Sequence, residues 1–214
     1  MRPDLLPPPW LVIPVKGAQG SKQRLALALS EPERQLLSGA VAQRVVRMAH
    51  EVWPRGALVV VTPDRSVAEL CRALGVAAIA DPGASQTDAV RLGVHHGLER
   101  GAQVVATLAA DLPRLRPGDL LELLGRSRRL GPGTMLLVPD QDGTGTNGMV
   151  VRPGAVLAQA FGPGSRARHR ELARNLGLRT RELLRPGLAA DLDRPRDLEE
   201  LGGPEAVLAG AGRG

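Results

Sequence analysis

Cysteine is almost absent from this sequence of 214 residues, in which Cys71 is the single copy. A lone cysteine can form no intrachain disulfide and no cysteine cluster for zinc, so we expect Cys71 to pack in the core. Long apolar runs are absent too, because stretches such as Ala57–Val61 and Met135–Val138 are far too short to span a bilayer. No segment has the pattern of a secretory signal before strand-like sequence begins. We therefore expect a cytoplasmic protein that does not bind membranes.

Aromatic residues are equally scarce, since Trp10, Trp53 and Phe161 are the only three. The chain consequently offers no aromatic platform on which single-stranded nucleic acid could stack, and it lacks helix-turn-helix and zinc-finger spacing. Lysine and arginine nevertheless outnumber the acidic residues by 28 to 22, which gives a net charge of +6 and favours anionic ligands. A small phosphorylated substrate explains this charge, and we expect no nucleic acid partner.

The motifs of common hydrolases and zinc enzymes are missing. The chain contains no G-x-S-x-G and no H-E-x-x-H, and its only histidines are at positions 50, 95, 96 and 169. Phosphoryl or nucleotidyl transfer to an acceptor that is already an anion needs positioning and charge neutralisation more than it needs a protein base. The residue types that are present favour this kind of transfer.

Short buried-strand patterns alternate with amphipathic helical patterns along the chain. Because parallel neighbouring strands need crossover connections, this order predicts an α/β fold, with a Rossmann-like, mostly parallel sheet flanked by helices. We expect one domain over residues 1–214, ordered at about 10–201, with a frayed tail at Gly202–Gly214. The predicted strands are Trp10–Val15, Ala57–Val61, Val76–Ala80, Val104–Leu108, Met135–Pro139 and Met149–Arg152. The predicted helices are a long one after the capping box Ser30–Glu33, then Ser66–Leu74, Thr87–Glu99, Pro117–Arg129, Gly154–Ala160, Arg166–Leu176 and a short one from Pro195.

The loop after the first strand carries both lysines of the chain, Lys16 and Lys22, and also Arg24. All other basic residues are arginines, which suggests that a compact ammonium group is needed in this loop. Its glycines expose backbone N–H groups, although the order of residues is not that of a Walker A motif. The loop is a candidate site for a polyphosphate, and a plain solvated turn is the alternative.

Three aspartates are candidate ligands for Mg²⁺. Asp111 follows the apolar strand Val104–Leu108 and precedes Leu112-Pro113, and a carboxylate at such a strand end suits a magnesium ion that binds nucleotide phosphates. Asp191 and Asp193 are two residues apart and could complete an oxygen site with Asp111. The alternative is structural, because an isolated aspartate often forms a turn, and Asp191 and Asp193 could cap the helix that begins at Pro195.

Two glycine-rich loops could bind a phosphate or carboxylate group. The segment Gly143–Asn147 offers hydroxyls and an amide but would also suit a hairpin, and Gly162–Ser165 precedes a helix whose N-terminus would attract an anion. Most of the basic residues on that helix are expected to form a solvated face. Arg168 and His169 are the two with a candidate role in the site.

Five motifs, taken in order over about residues 10–201, resemble the guanylyltransferases of deazaflavin coenzyme F-420 biosynthesis. Any one of these motifs is weak evidence, whereas five in the same order are specific. The motifs are Pro14-Val15-Lys16 with Ser21–Leu25, Ala110–Pro113, Asp142–Asn147, Phe161–Ser165 with His169, and Asp191–Leu198.

The resemblance implies a nucleotidyltransferase fold and attack by the phosphate of phosphoenolpyruvate, or of 2-phospho-L-lactate, on the α-phosphorus of GTP. It places Mg²⁺ on Asp111, Asp191 and Asp193, and it assigns Lys16, Lys22 and Arg24, together with Asp111, to catalysis around the nucleotide phosphates. The phosphorylated acid would be held by Thr146, Asn147, Gly162, Ser165 and His169. A homodimer and direct hand-off of the product to the next enzyme of the pathway are open.

Phosphoenolpyruvate is the preferred acceptor in this interpretation, on the indirect ground that arginine, alanine and glycine are abundant, as in GC-rich bacteria. A related nucleotidyltransferase that acts on a molybdenum cofactor or a sugar phosphate is one alternative, because fold alone does not separate these functions. A protein that binds GTP or nucleic acid without catalysis is another. Three carboxylates in an anion-binding site argue against a simple binder.

Overall fold

The computed structural model describes residues 7–17, 22–81, 85–152 and 161–212, and within these ranges seven strands form one sheet. The strands are β1 (Trp10–Pro14), β2 (Leu58–Thr62), β3 (Ala77–Ala80), β4 (Val105–Leu108), β5 (Thr134–Pro139), β6 (Thr146–Val151) and β7 (Arg179–Glu182). They lie in the order β3-β2-β1-β4-β6-β5-β7. The strands of the centre, β1, β2 and β4, are buried along their whole length, as their apolar sequences predict.

The helices follow the predicted alternation. Ser30 and Glu33 form the predicted capping box, in which the Ser30 N–H donates to Glu33 Oε2 at 2.7 Å, and Gly75 ends a helix in the left-handed region at φ 69°. None of the described helices is long and apolar enough to cross a membrane. The helices are α1 (Glu31–Val52), α2 (Arg65–Leu74), α3 (Gln86–Glu99), α4 (Pro117–Arg128), α5 (Ser165–Asn175), α6 (Pro186–Ala189), α7 (Pro195–Glu200) and α8 (Pro204–Ala211), with a 3-10 helix at Gln23–Leu27.

The sheet is mostly parallel, with β6 as the exception. Strand β1 pairs in parallel with β2 and β4, β2 with β3, and β5 with β7, whereas β6 runs antiparallel to both β4 and β5. The first residues of β6 therefore lie at the same edge as the last residues of β1 and β4. Ligands of open α/β sheets bind at this edge, so the topology brings the start of β6 to the candidate site.

Two predictions about strands need correction. We expected a strand at Met149–Arg152, but β6 begins three residues earlier, at Thr146, because the backbone there already pairs with β4 and β5. Strand β7 was not predicted, since its residues Arg-Thr-Arg-Glu are partly exposed and give no apolar signal. The helix predicted at Gly154–Ala160 lies outside the described residues.

The core consists of one large cluster around the sheet and a second, smaller cluster. Cys71 is buried in the large cluster, as predicted, and burial raises the pKa of its thiol to about 11. The second cluster joins the 3-10 helix, α1, the segment between α6 and α7, α7 and α8. Its buried members are Leu25, Leu29, Leu37, Val41, Leu192, Leu198 and Val207.

The prediction that the tail is frayed was wrong for its described part. Helix α8 occupies residues 204–211, and Val207 and Ala211 are buried against the rest of the protein. The apolar side of α8 is only two turns long, and it is flanked by glycines, so its sequence alone resembled a loose terminus. Packing on α1, rather than local propensity, stabilises this helix.

Candidate active site

A cavity of about 410 Å³ lies beyond the carboxyl ends of β1 and β4 and the amino end of β6. Nine of the eleven residues that the resemblance assigns to catalysis, to the metal or to the acid line this cavity. Lys22 and His169 are the exceptions, and each contacts a residue that lines it, Asp111 and Thr146 respectively. The predicted residues that line the cavity are Lys16, Arg24, Asp111, Thr146, Asn147, Gly162, Ser165, Asp191 and Asp193.

Two of the predicted phosphate-binding cations are paired with two of the predicted metal ligands. The Lys22 ammonium donates to Asp111 Oδ2, with the lysine side chain only 9% exposed, and Arg24 Nη1 donates to Asp193 Oδ2 at 2.6 Å. Lys22 has a left-handed backbone at φ 57°, the only such value outside glycine among the described residues. A left-handed lysine costs about 1–2 kcal/mol, so the contact with Asp111 is formed at the expense of local strain.

The segment that carries Asp191 and Asp193 is attached to Asp111 through the backbone. The N–H of Leu192 donates to the carbonyl oxygen of Asp111 at 3.0 Å, and the Leu192 side chain is buried in the second cluster. Asp191 and Asp193 therefore flank an anchored residue and both reach the cavity. Neither side chain caps α7, so the structural alternative for these two aspartates does not describe this fold.

Asn147 connects the start of β6 to the same segment. Its side-chain amide donates to the carbonyl oxygens of Leu188 and Ala189, at 3.1 and 3.0 Å, and to Asp191 Oδ1 at 3.3 Å. Its backbone carbonyl accepts from the N–H of Ala109 at 2.7 Å. The amide nitrogen of Asn147 is thus occupied by protein acceptors, and one of its effects is to orient Asp191.

The carboxyl groups of Asp111 and Asp191 are close enough to affect each other's ionisation. Burial raises the pKa of Asp191 to about 6, and the negative charge of Asp111 adds to the effect. Burial would also raise the pKa of Asp111, but the neighbouring Lys22 and Lys16 outweigh it and hold that pKa below its usual value. The site therefore contains one carboxylate that is stabilised by lysine and one that is crowded by a like charge.

This donor set fits a hard divalent cation, because carboxylate oxygens suit Mg²⁺ and a dication would relieve the repulsion between Asp111 and Asp191. Within residues 7–17, 22–81, 85–152 and 161–212, however, no three His, Cys, Asp or Glu side chains converge as a ready-made metal cluster. The third predicted ligand, Asp193, is turned towards Arg24. A metal ion bound by all three would compete with Arg24 for the Asp193 carboxylate.

The opposite wall of the cavity is formed by the N-terminus of α5. Gly164 precedes the helix with φ 71°, and Ser165 is its first residue, with its N–H bonded to the carbonyl oxygen of Gly162 at 3.0 Å. His169 is fully buried one turn later, where Nδ1 lies 3.1 Å from Thr146 Oγ1 and the ring packs edge-on against Phe161. Burial, with help from the charge of Arg168, lowers the pKa of His169 to about 4, so this imidazole is neutral at pH 7.

Several residues that organise this wall were not predicted. The carboxylate of Asp140 accepts from the N–H groups of Thr144 and Gly145, at 2.9 and 2.8 Å, and a side chain at Gly145 would collide with it. Arg166 donates to the carbonyl oxygen of Gly143 at 2.8 Å and pairs with Glu182. The D-x-x-G spacing of a turn was the available signal for Asp140. No local pattern distinguishes Arg166 from its basic neighbours.

Arg168, which the sequence singled out with His169, lies outside the cavity lining. Its guanidinium donates to the carbonyl oxygens of Phe161 and Pro163 and so braces the loop before α5. Gln86, the first residue of α3, lines the cavity and was not predicted. A second cavity, at the opposite edge of the sheet, is lined by Trp10, Trp53 and His96, among others, and none of the predicted site residues reaches it.

Comparisons with known proteins identify the family of this chain. The family described as "Guanylyl transferase CofC like" matches residues 10–205. A phosphoenolpyruvate guanylyltransferase from Sphaerobacter thermophilus is 36% identical over 198 residues, which are 92% of this chain and 94% of the relative. A protein of the same name from Rubrobacter xylanophilus is 38% identical over 195 residues, 90% of this chain and 92% of the relative.

Solved structures of nucleotide-dependent transferases share the fold. The 4-diphosphocytidyl-2C-methyl-D-erythritol synthase superposes with a TM-score of 0.61 at 18% identity, over 95% of this chain and 99% of the other. Glucosyl-3-phosphoglycerate synthase from Mycobacterium tuberculosis, crystallised with Mn²⁺ and UDP, has a TM-score of 0.59 at 14% identity, over 94% of this chain and 79% of the other. The fold is therefore the Rossmann-like nucleotidyltransferase fold. From its match over residues 10–205 and these relatives, the chain belongs to the CofC-like guanylyl transferase family.

Proposed function

We propose that this protein transfers GMP from GTP to the phosphate of phosphoenolpyruvate and releases pyrophosphate. The observation that carries the proposal is that a cationic loop, three carboxylates and the N-terminus of α5 meet in one cavity. Relatives that are 36% and 38% identical over nearly the whole chain are named for this reaction, which supports the choice of both substrates.

The nucleotide triphosphate would lie against Lys16, Lys22 and Arg24. These cations follow β1, at the edge where phosphates bind in open α/β sheets. Lys22 and Arg24 form ion pairs with Asp111 and Asp193. The phosphates of a bound nucleotide would compete for these cations, and the two carboxylates would then be available to a metal ion.

Asp111, Asp191 and Asp193 would hold Mg²⁺. When bound, the ion would neutralise charge on the α-phosphate and on the pyrophosphate that departs. The Leu192 backbone, anchored on Asp111, and the Asn147 amide would keep the carboxylates in place during this change of partners.

The acid would lie between the start of β6 and α5. The positive end of the α5 dipole at Ser165 and the adjoining backbone at Gly162 favour an anion, and the Thr146 hydroxyl can donate to it, with His169 fixing its orientation. A phosphate oxygen of the acid would attack the α-phosphorus of GTP, and the bond from that phosphorus to the α,β-bridging oxygen would break. The phosphate is already anionic at neutral pH, so the step needs no protein base.

Cytoplasmic location is also proposed, because GTP and phosphoenolpyruvate are metabolites of that compartment. The product would be a phosphoric anhydride of an enol ester, a reactive species for which hand-off to the next enzyme of the pathway is advantageous. A homodimer remains a prediction.

The test is pyrophosphate release by the purified protein with GTP and Mg²⁺, in the presence of phosphoenolpyruvate, of 2-phospho-L-lactate or of no acceptor. We expect release that requires phosphoenolpyruvate and falls by at least about a hundredfold in Asp111→Asn, because charge stabilisation at the transferred phosphate is lost. If pyrophosphate is released only with 2-phospho-L-lactate, the acceptor is 2-phospho-L-lactate and not phosphoenolpyruvate. If the protein releases no pyrophosphate with either acid, the proposal is contradicted, and the sugar-phosphate or molybdenum-cofactor alternatives are favoured.

A further inference from the structure

The helices α4 and α7 begin with the same five-residue pattern, R-P-x-D-L, at Arg116–Leu120 and Arg194–Leu198. In each helix the aspartate is the third helical residue and accepts from the backbone N–H of the arginine before the proline. The Arg116 N–H lies 3.0 Å from Asp119 Oδ2, and the Arg194 N–H lies 2.7 Å from Asp197 Oδ2. Both aspartates are nearly buried, with 4% and 6% exposure. As helix caps the two residues are equivalent.

Their remaining contacts differ. The second oxygen of Asp119 accepts from Arg185 Nε at 3.0 Å, and Asp119 does not line the cavity. Asp197 does line it. Asp197 Oδ2 accepts a further hydrogen bond from the N–H of Asp193 at 3.0 Å, and Oδ1 accepts from Gln141 Nε2 at 2.9 Å.

The Asp197 carboxylate therefore connects two of the segments that form the cavity. One is the segment with Asp193, and the other is the loop between β5 and β6, which contains Gln141. Asp142, the next residue of that loop, is itself paired with Arg194 at 2.9 Å and with Arg196. These contacts hold the backbone at Asp193 and the residues that follow it, and they leave the Asp193 side chain able to exchange Arg24 for another cation.

We propose that Asp197 is a positioning residue that holds Asp193 in place for the metal and nucleotide. The inference rests on the proposed function, since it assigns Asp193 to that site. Without the Asp197 carboxylate, the N–H groups of Asp193 and Arg194 lose their common acceptor, and the segment loses its hydrogen bond to Gln141 in the loop between β5 and β6. Supporting contacts of this kind commonly change metal affinity by about 10–100-fold.

Three variants separate this role from its alternatives: Asp197→Ala, Asp197→Asn and the matched control Asp119→Ala. Asparagine keeps an oxygen that can accept from both backbone N–H groups, whereas alanine does not. Asp119→Ala removes the same type of helix cap in α4, at a residue that does not line the cavity. The first measurement is calorimetric binding of the Mg²⁺ complex of α,β-methylene-GTP, an analogue whose α-phosphorus cannot lose pyrophosphate. The midpoint of thermal unfolding is recorded alongside, and kcat and KM are determined for phosphoenolpyruvate.

We expect Asp197→Ala to bind the analogue about tenfold more weakly, Asp197→Asn to stay within about threefold of wild type, and Asp119→Ala to bind like wild type at a similar loss of thermal stability. The Asp197→Ala enzyme should also need more Mg²⁺ for half-maximal rate. Equal losses of binding in Asp197→Ala and Asp119→Ala would overturn the proposal, because the role would then be that of a helix cap alone.

Equal losses in Asp197→Ala and Asp197→Asn would overturn it as well, since a carboxylate that binds the metal directly cannot be replaced by an amide. Wild-type protein that binds the analogue but releases no pyrophosphate with either acid would contradict the proposed function and leave the comparison of the variants valid. Wild-type protein that does not bind the analogue would contradict both.

Discussion

At the scale of single residues, the site contains opposite charges that neutralise one another in pairs. Lys22 with Asp111, and Arg24 with Asp193, form the pairs that join the first loop to the carboxylates. The Lys22 pair is largely shielded from solvent on the lysine side, whereas Arg24 and Asp193 are 57% and 37% exposed. The exposed pair is the weaker one and should open more readily.

Removal of the Arg24 charge should therefore raise the affinity for a metal ion alone and lower the affinity for a nucleotide. In Arg24→Met, Asp193 has no competing cation, so we expect Mn²⁺ alone to bind up to about fivefold more tightly, because an exposed ion pair contributes about 1 kcal/mol or less. The Mg²⁺ complex of α,β-methylene-GTP should bind more weakly, since the substitution removes a cation that we propose binds the nucleotide phosphates. Calorimetric titrations of the two ligands measure both effects.

Arg65→Met is the matched control, because Arg65 forms a similar exposed pair with Glu69 on α2 at 2.9 Å, outside the cavity lining. It should change neither affinity. Weaker binding of Mn²⁺ alone to Arg24→Met would contradict the competition between Arg24 and the metal for Asp193.

His169 predicts a specific dependence of stability on pH. Burial lowers its pKa from 6.5 to about 4, so between these two values the unfolded chain binds more protons than the folded protein. The contribution of His169 to the free energy of unfolding is fully present above pH 6.5 and is lost as the pH falls towards 4. It amounts to about 3 kcal/mol. Urea unfolding of wild type and His169→Asn at pH 7, 6, 5 and 4.5 gives the free energy of unfolding of each protein as a function of pH. The difference between the slopes of the two plots measures the contribution of His169.

In the variant, we expect stability to fall less steeply with acidification, by up to about 1.4 kcal/mol per pH unit. Asparagine can still reach Thr146 from the position of Nδ1, which limits the loss of other contacts. Identical slopes for the two proteins would show that His169 is protonated as easily in the folded state as in the unfolded one.

At the scale of secondary structure, the central strands and most helices were predictable because the spacing of apolar residues in the local sequence indicates buried strands and amphipathic helices. Strands β1, β2 and β4 were predicted to within one residue at each end. Strand β7 was not, because it is an edge strand whose arginines and glutamate are stabilised by pairing with β5 and by the ion pair between Arg166 and Glu182. Such partners are distant in sequence and leave no local signal.

The same distinction applies to the site. The edge of the sheet at which Asp111 and the lysine loop meet follows from topology and could be predicted. The pairing of Lys22 with Asp111 depends on a left-handed backbone at Lys22, and the role of Asp197 depends on contacts with Gln141 and Asp193. These features arise from tertiary packing, which residue order alone does not determine.

The packing of α3 on β1 gives a test at this scale. A Cβ atom at Gly93 would lie 2.3 Å from Val12 Cγ1, in a fully buried contact, whereas nothing lies within 4 Å of a Cβ atom at Gly39 on α1. We expect Gly93→Ala to lower the free energy of unfolding by about 1–3 kcal/mol through overpacking. Gly39→Ala should leave it unchanged or raise it by up to about 1 kcal/mol, since alanine favours helix.

Urea unfolding of both variants and wild type measures these free energies. Because the two substitutions add the same methyl group to a helix, the difference between them isolates the close contact between α3 and β1. A Gly93→Ala protein as stable as Gly39→Ala would contradict the tight packing described for these two elements.

At the scale of the whole molecule, the second hydrophobic cluster fixes the positions of chain segments that line the polar cavity. Buried leucines alternate with the charged residues of the cavity, since Leu25 follows Arg24 and Leu192 separates Asp191 from Asp193. Helix α8 completes this cluster through Val207. The loop with Arg24 and the segment with Asp191 and Asp193 are thus positioned by one shared core, which explains why the fold extends to a helix in a tail that the sequence alone predicted to be frayed.

The central claim is that a phosphate oxygen of phosphoenolpyruvate becomes the bridge to the α-phosphorus of GTP within this cavity. The most direct test is a reaction of the protein with phosphoenolpyruvate whose phosphate carries ¹⁸O, followed by ³¹P NMR of both products. We predict an isotope shift at both phosphorus atoms of the guanylated product and unlabelled pyrophosphate. Label in pyrophosphate, or an α-phosphorus without a shift, would show that the acid phosphate does not attack that centre and would contradict the account.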